Sequence, residues 1–344
     1  MMATDIDELG QAAKNGDRAA MTALGKLGLV GRAGERSLQD AAALLASAAE
    51  AGDAEADAVI AVLIAADARA LPDWGVALGY LERAARRGWS PARRQLALFC
   101  SDRDLAERSL TDSAPVDIWR SVREQIDVSA LIKPASARVA FEGPHVGIIE
   151  HFATPAECAW MIERARPNVT RARVFDRERG GVHYDDARTN SAVQFNILDA
   201  DFVLLILQAR IAAATGVTPR HLEEANVLHY APGQEFRKHY DFFESKQPFF
   251  EQEIAEKGQR TMTFLTYLNE GFEGGETEFV KLGWRYKGRP GDALMFRNTD
   301  PSGVPDTRTL HAGLPPLSGE KWLLSQWIRS RAPRRPGEGP SNPN

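Results

Sequence analysis

Three glycines, Gly16, Gly52 and Gly88, stand 36 residues apart within look-alike segments: KNGDRAAMTALGKLG, EAGDAEADAVIAVLI and RRGWSPARRQLALFC. A fixed period of this length restricts the fold severely, because each unit must be one supersecondary motif stacked on its neighbour. The runs ahead of the second and third glycines, LQDAAALLASAAEAGD and WGVALGYLERAARRGW, carry small apolar residues at helical spacing. A glycine that closes one helix before a short turn to the next marks an αα-hairpin. Residues 1–105 are therefore expected to form an all-α domain of stacked helix pairs, with a plain small bundle as the alternative. So short an array needs a neighbour to cap it.

This stretch resembles Sel1-like repeats, relatives of the tetratricopeptide class. The resemblance implies an interaction surface, and hence a protein partner on the repeats.

Residues 106–137 read as a linker carrying one short helix, and from 138 the texture changes. VAFEGPHVGIIEHF suggests strands around a turn, and TPAECAWMIERARP a helix with Thr154 as N-cap and Pro155 at its first position. DRERGGVHYDDARTN, 176–190, is too polar for a core and is expected to be a loop. DFVLLILQARIAAATG is an apolar helix closed by Gly216. From Leu222 onward short strands and turns alternate, the pattern of a sandwich or jelly roll rather than of a helix-covered parallel sheet. The Pro- and Gly-rich tail, 332–344, is expected to be disordered. The fold class is thus α+β.

At 344 residues the chain has room for two domains. Its net charge of −5 gives no drive towards nucleic acid or anionic membranes. No apolar run reaches membrane-spanning length, and the acidic start MMATDIDELGQAAKNGD lacks the apolar core of a secretory signal. Two cysteines, Cys100 and Cys158, read as free thiols. The expectation is a cytoplasmic protein whose partners include neither nucleic acid nor membrane.

The chemistry concentrates near YAPGQEFRKHYD, where His239 and Asp241 are one residue apart. On a strand, period-2 alternation would place both on one face. Beside Tyr240, Phe242 and Phe243 an unpaired carboxylate is costly, and a metal would remove that cost. His-x-Asp is common without a metal, so the far end of the chain has to decide. There HAGLPPLSGEKWLLSQWI contains a turn near Pro316. A hairpin centred on it would pair His311 with Lys321 and set Leu323, Ser325 and Trp327 on the lysine's face. Two histidines and a carboxylate form the facial triad of non-haem Fe(II) oxygenases. A buried lysine beside a metal needs an anion between them. The simplest is a dicarboxylate such as 2-oxoglutarate, although the commoner fate of a lysine is the surface. Between these ends TMTFLTYL reads as a central strand with Thr261, Thr263, Leu265 and Tyr267 on one face.

The pieces YAPGQEFRKHYDFF, RTMTFLTYLNEGFEGGETEF, PGDALMFRN, LHAGLPPLSGEKW and QWIR occur in an order that resembles the catalytic domain of prolyl 4-hydroxylases, within the 2-oxoglutarate/Fe(II) dioxygenase superfamily. HFATPAECAWMIERA and DARTNSAVQF look like that family's N-terminal half. The resemblance implies a catalytic domain over 138–331 whose core, 222–330, is a double-stranded β-helix (jelly roll) flanked by helices. It implies Fe(II), 2-oxoglutarate and O₂, with ascorbate as accessory, and a protein or peptide substrate. His239, Asp241 and His311 match the iron ligands. Lys321 matches the residue that binds the distal carboxylate of 2-oxoglutarate, with Thr277 assisting. Tyr230 matches a hydrogen-bond donor to the co-substrate, and Tyr267 lies on a strand lining the pocket. Arg188, Arg260 and Trp327 match substrate-side positions. Many members have tyrosine where this chain has Phe236, which loosens the assignment of proline as substrate. The alternatives are an oxygenase for a free amino acid or another residue type, and a catalytically silent scaffold. The complete triad with Lys321 argues against the scaffold. His145, His151, His183, His221 and His229 are read as surface or loop residues.

Overall fold

Aspartates at the glycine turns start the helices of the N-terminal region. In the computed structural model, which describes residues 3–66, 72–175, 181–244 and 248–332, Gly16, Gly52 and Gly88 all have φ near +90°. That conformation is one glycine adopts without steric cost. Asp17 and Asp53 follow the first two and accept hydrogen bonds from the opening amides of Arg18–Leu29 and Ala54–Ala65. The third helix of this kind, Ser90–Phe99, has no side-chain cap and carries Pro91 in its first turn instead. Each is preceded by a partner, Ala3–Lys14, Leu38–Glu50 and Trp74–Arg86 in turn. The helix starts Arg18, Ala54 and Ser90 keep the 36-residue spacing.

Small residues let these helices approach closely. A Cβ added at Gly28 would lie 2.6 Å from the Cβ of Ala41 on the next helix. Buried Asp57 holds Arg83 and Arg87 at 2.5 Å each, tying the second pair to the third.

The expected linker is more structured than its sequence suggests. It carries helices Arg103–Ser109, Ile118–Glu124 and Val128–Ile132, with Trp119 and Val122 buried, and the helical unit extends through Ile132. That unit also takes in Asn196–Leu207. Phe202, at the start of helix Phe202–Thr215, packs edge-on against Trp74 and Phe99. None of the helices among the described residues is long and apolar enough to cross a membrane.

The second unit comprises Lys133–Phe195 and the chain from Gln208 onward. Its large sheet has eight antiparallel strands in the order Arg138–Phe141, Val146–Ile149, Ala293–Arg297, Arg260–Tyr267, Lys321–Arg329, Ala225–Tyr230, Ser191–Phe195, Thr170–Arg171. The small sheet has four, in the order Trp284–Tyr286, Thr277–Phe279, His311–Gly313, Phe236–His239. An apolar core joins Leu228, Leu265, Tyr267 and Leu323 of the large sheet to Phe279 of the small one. This is the face-to-face arrangement a jelly roll requires. Helix Pro155–Ala165 starts with the expected N-cap, since Thr154 and Glu157 form a reciprocal capping box. Of the expected 176–190 loop, 176–180 lie outside the described residues, as does the tail from 333.

Two register expectations need correction. His311 and Lys321 are not hairpin partners. Pro316–Ser318 pairs with Glu273–Gly274, and Lys321 lies in the other sheet opposite Tyr230. The left-handed Gly274 and Gly275 bring their backbone against this segment, with the Gly275 amide donating to Pro315 O. That pairing stands in place of the hairpin. Nor do His239 and Asp241 share a strand: it ends at His239, and Asp241 lies in the bend beyond.

Candidate active site

The turn after Phe236–His239 and the strand His311–Gly313 bring together two imidazoles and a carboxylate whose donor atoms all lie within 4.8 Å of one another. His239 Nε2 is 3.6 Å from Asp241 Oδ1, and His311 Nε2 is 3.6 Å from Asp241 Oδ2. These separations are too long for hydrogen bonds.

The histidine tautomers follow from their backbone partners. Nδ1 of His239 lies 2.8 Å from Arg237 O, and Nδ1 of His311 lies 2.9 Å from Thr309 O. A carbonyl only accepts, so each Nδ1 carries the proton and each Nε2 presents a lone pair to the cluster. Burial, reinforced by His311, drives the His239 pKa down to about 3. Burial would raise Asp241, but the imidazoles and a hydrogen bond from Thr263 outweigh it and hold the carboxyl below its ordinary value. Two neutral nitrogen donors and one anionic oxygen are a fitting set for a divalent first-row metal.

Asp241 is aimed by residues that the sequence did not single out. Thr263 Oγ1 donates to Asp241 Oδ2 at 2.7 Å. Since its one hydrogen is thereby used, it must accept from Asn298 Nδ2, 2.9 Å away. Thr263 lies on the strand face that alternation gives it in common with Thr261, Leu265 and Tyr267. Nothing in PGDALMFRN marked Asn298.

The same cavity is lined by Tyr230, Thr277 and Lys321. Lys321 is fully buried, and its Nζ has no hydrogen-bond partner. Burial lowers its pKa to about 7. A buried amine with no acceptor, on the wall of a metal-ligand cavity, is the mark of a missing anion. Leu323, Ser325 and Trp327 line the cavity as alternation from Lys321 requires.

Tyr267 does not line it. It lies behind Thr277, with its hydroxyl 3.0 Å from Tyr286 O and 2.9 Å from Thr277 Oγ1. The tyrosine must donate to the carbonyl, so Thr277 donates to the tyrosine. Arg260 is also absent from the lining. Glu223 holds it through two hydrogen bonds of 2.7 Å, and its guanidinium covers the Trp327 ring at 3.6 Å. Arg188 does line the cavity, 4.5 Å above the Phe236 ring, and Phe236 stacks on His239 at 3.5 Å. Of the other histidines, His229 is neither a surface nor a loop residue, since it packs on Trp322 within the large sheet.

Residues 225–329 match the model of the 2OG-Fe(II) oxygenase superfamily. The chain is 30% identical over 221 residues to probable prolyl 4-hydroxylase 4 of Arabidopsis thaliana, an alignment covering 58% of this chain and 72% of the relative. Prolyl 4-hydroxylase 13 of the same plant is 32% identical over 235 residues, covering 62% and 82%. Among solved structures, the viral collagen prolyl hydroxylase of Paramecium Bursaria Chlorella virus-1 is similar with a TM-score of 0.42 and 26% identity, covering 54% of this chain and 96% of that one.

Proposed function

The chain belongs to the prolyl 4-hydroxylase family of 2OG-Fe(II) oxygenases, and we propose that it hydroxylates a proline within a peptide. It is a 2-oxoglutarate-dependent dioxygenase using Fe(II) and O₂. When bound, Fe(II) couples oxidative decarboxylation of 2-oxoglutarate to hydroxylation of an unactivated C–H bond, with release of succinate and CO₂.

His239, Asp241 and His311 would hold the metal through Nε2, a carboxylate oxygen and Nε2. The observation that carries the reading is the partnerless Nζ of Lys321, which would meet the far carboxylate of 2-oxoglutarate. Tyr230, buried and with its pKa pushed up to about 12 by that burial, remains a neutral hydroxyl able to donate to the same ligand. Thr277 supports the pocket through Tyr267. The Phe236 ring stacks on His239 and holds its imidazole in place. Trp327, with its indole Nε1 buried and without a partner, and Arg188 face the substrate side. Ascorbate serves as accessory reductant.

We further propose that the N-terminal helix pairs are Sel1-like repeats that recruit a protein partner. Their common spacing and glycine turns support this. A cytoplasmic setting is supported by two buried, unpaired thiols, Cys100 and Cys158.

The test is succinate formation from 2-oxoglutarate with Fe(II) and proline-containing peptides, read together with peptide mass. The expected result is a gain of one oxygen on proline, absent in His239→Ala. Oxygen on a different residue type would overturn the prolyl assignment while leaving the dioxygenase intact.

A further inference from the structure

Two cationic side chains line the cavity, Lys321 and Arg188, and the co-substrate accounts for only the first. The guanidinium of Arg188 is oriented by neutral acceptors. Nε donates to Asn190 Oδ1 and Nη1 to Arg173 O, each at 3.2 Å. The Phe236 ring supports it from below. Among the described residues no carboxylate pairs with it. Burial presses its pKa below the ordinary guanidinium value, and the acid that acts on it, Asp241, is the one committed to the metal.

The charges of the loaded cavity can be followed. A divalent cation on Asp241, together with Lys321 and Arg188, leaves the lining with three net positive charges. The 2-oxoglutarate dianion removes two. The remaining one sits on Arg188, which is held by three contacts. A fixed, planar, partly desolvated guanidinium is a poor place to leave a charge uncompensated and a good receptor for a carboxylate, whose two oxygens match its fork. Phe236 sharpens the geometry. Its ring is stacked on His239 at 3.5 Å and also carries the Arg188 guanidinium at 4.5 Å, so a group held by Arg188 lies close to the metal ligands. A phenylalanine there also offers no hydroxyl to compete for that group.

We infer that Arg188 receives a carboxylate of the substrate, so that the peptide hydroxylated here carries an acidic side chain, or its own C-terminus, beside the target proline. The inference rests on the prolyl reading above for the peptide, and it adds the charge that the peptide must bring.

The test reads binding rather than turnover. The full chain, loaded with Fe(II) and 2-oxoglutarate without oxygen, is titrated with matched proline peptides. These are Gly-Pro-Asp against Gly-Pro-Asn and Asp-Pro-Gly against Asn-Pro-Gly, all end-blocked, and Gly-Pro with a free C-terminus against its amide. In the wild type the acidic member of at least one pair should bind about tenfold tighter or better, as a charge-assisted pair gives. The pair that shows the preference distinguishes a side-chain carboxylate from a terminal one. Arg188→Gln should erase the preference, and Arg188→Lys should recover part of it; the affinity of each variant for 2-oxoglutarate reports that the fold is retained. Equal binding within every pair, or a preference that survives in Arg188→Gln, overturns this inference and leaves the prolyl reading standing. Failure of every proline peptide to bind removes both.

Discussion

His239 and His311 stand directly opposite each other in the antiparallel ladder of the small sheet, their ring centroids 4.2 Å apart. Two neutral rings tolerate that distance, whereas two protonated rings would repel at close range in a buried site. The ladder therefore fixes the geometry, burial keeps His239 neutral, and Asp241 supplies the single negative charge. Folding alone assembles a cation site in which His239 and Asp241 are already deprotonated at neutral pH.

Metal binding should consequently stabilise the fold by mass action. Mn(II), a redox-quiet substitute, at about 100 times its Kd should add about 2.7 kcal/mol to the unfolding free energy. A thermal scan would register this as a higher Tm, reversed by a chelator. Asp241→Ala should show no such response; an undiminished metal-dependent rise in that variant would place the ion elsewhere.

Lys321 should make 2-oxoglutarate binding pH-dependent. In the ligand-free protein its pKa is about 7, held down by burial, so above that pH the amine is largely neutral. The dicarboxylate binds the ammonium form, which means that binding takes up a proton. Affinity should fall by up to about tenfold per pH unit above 7, the slope for one linked proton. Calorimetry in buffers of different ionisation enthalpy measures the uptake. Lys321→Ala should raise KM for 2-oxoglutarate and abolish the uptake while the metal stays bound.

Thr263 and Asn298 act on Asp241 without touching the metal. Outer partners of metal ligands typically contribute 10- to 100-fold in affinity, so Thr263→Val should weaken Mn(II) binding by roughly that factor. Thr263→Ser keeps the donor and should restore most of it. Equal losses in both variants would mean that the methyl group's packing matters rather than the hydroxyl.

Glu223 binds both Arg260 and Arg329 and is largely buried. Burial would raise its pKa, but the two guanidinium groups outweigh it and hold the carboxyl below its ordinary value. A carboxyl with a depressed folded pKa contributes stability that is fully present above its unfolded pKa, roughly 4.3. That stability is lost as pH falls through the folded pKa. Glu223→Ala strips Arg260 of its carboxylate and leaves Arg329 with Glu253 alone, and should cost about 3–5 kcal/mol at pH 7 by denaturant titration. The gap from wild type should narrow below pH 4.

The glycines of the helical unit should respond oppositely to alanine. Gly79, within Trp74–Arg86, has open space around an added Cβ, so Gly79→Ala should stabilise by about 0.5–1 kcal/mol. At Gly28 the added Cβ would meet Ala41 at 2.6 Å, and overpacking of about 1–3 kcal/mol should override the helix preference. Chemical denaturation of the two variants checks the sign.

The sequence by itself determined the features that need only chain neighbours: the paired helices and the alternation of side chains along the strands. The helix pairs follow from glycine and aspartate at a fixed interval, since turn and cap need nothing beyond their neighbours in the chain. Alternation along the last strand likewise placed Leu323, Ser325 and Trp327 on the face of Lys321. Partnership across the fold was decided only in three dimensions. Symmetry about a turn paired His311 with Lys321, yet the Gly274–Gly275 backbone captured the intervening segment and sent the two into different sheets. They still reach one cavity, because two facing sheets enclose what a single hairpin would have displayed. Tyr267 and Arg260 were displaced by partners distant in sequence: a carbonyl at Tyr286 and a carboxylate at Glu223. Asn298 gained its role from a threonine 35 positions away. A hydrogen bond is local in space and not in sequence, so no pattern of spacing could have announced them.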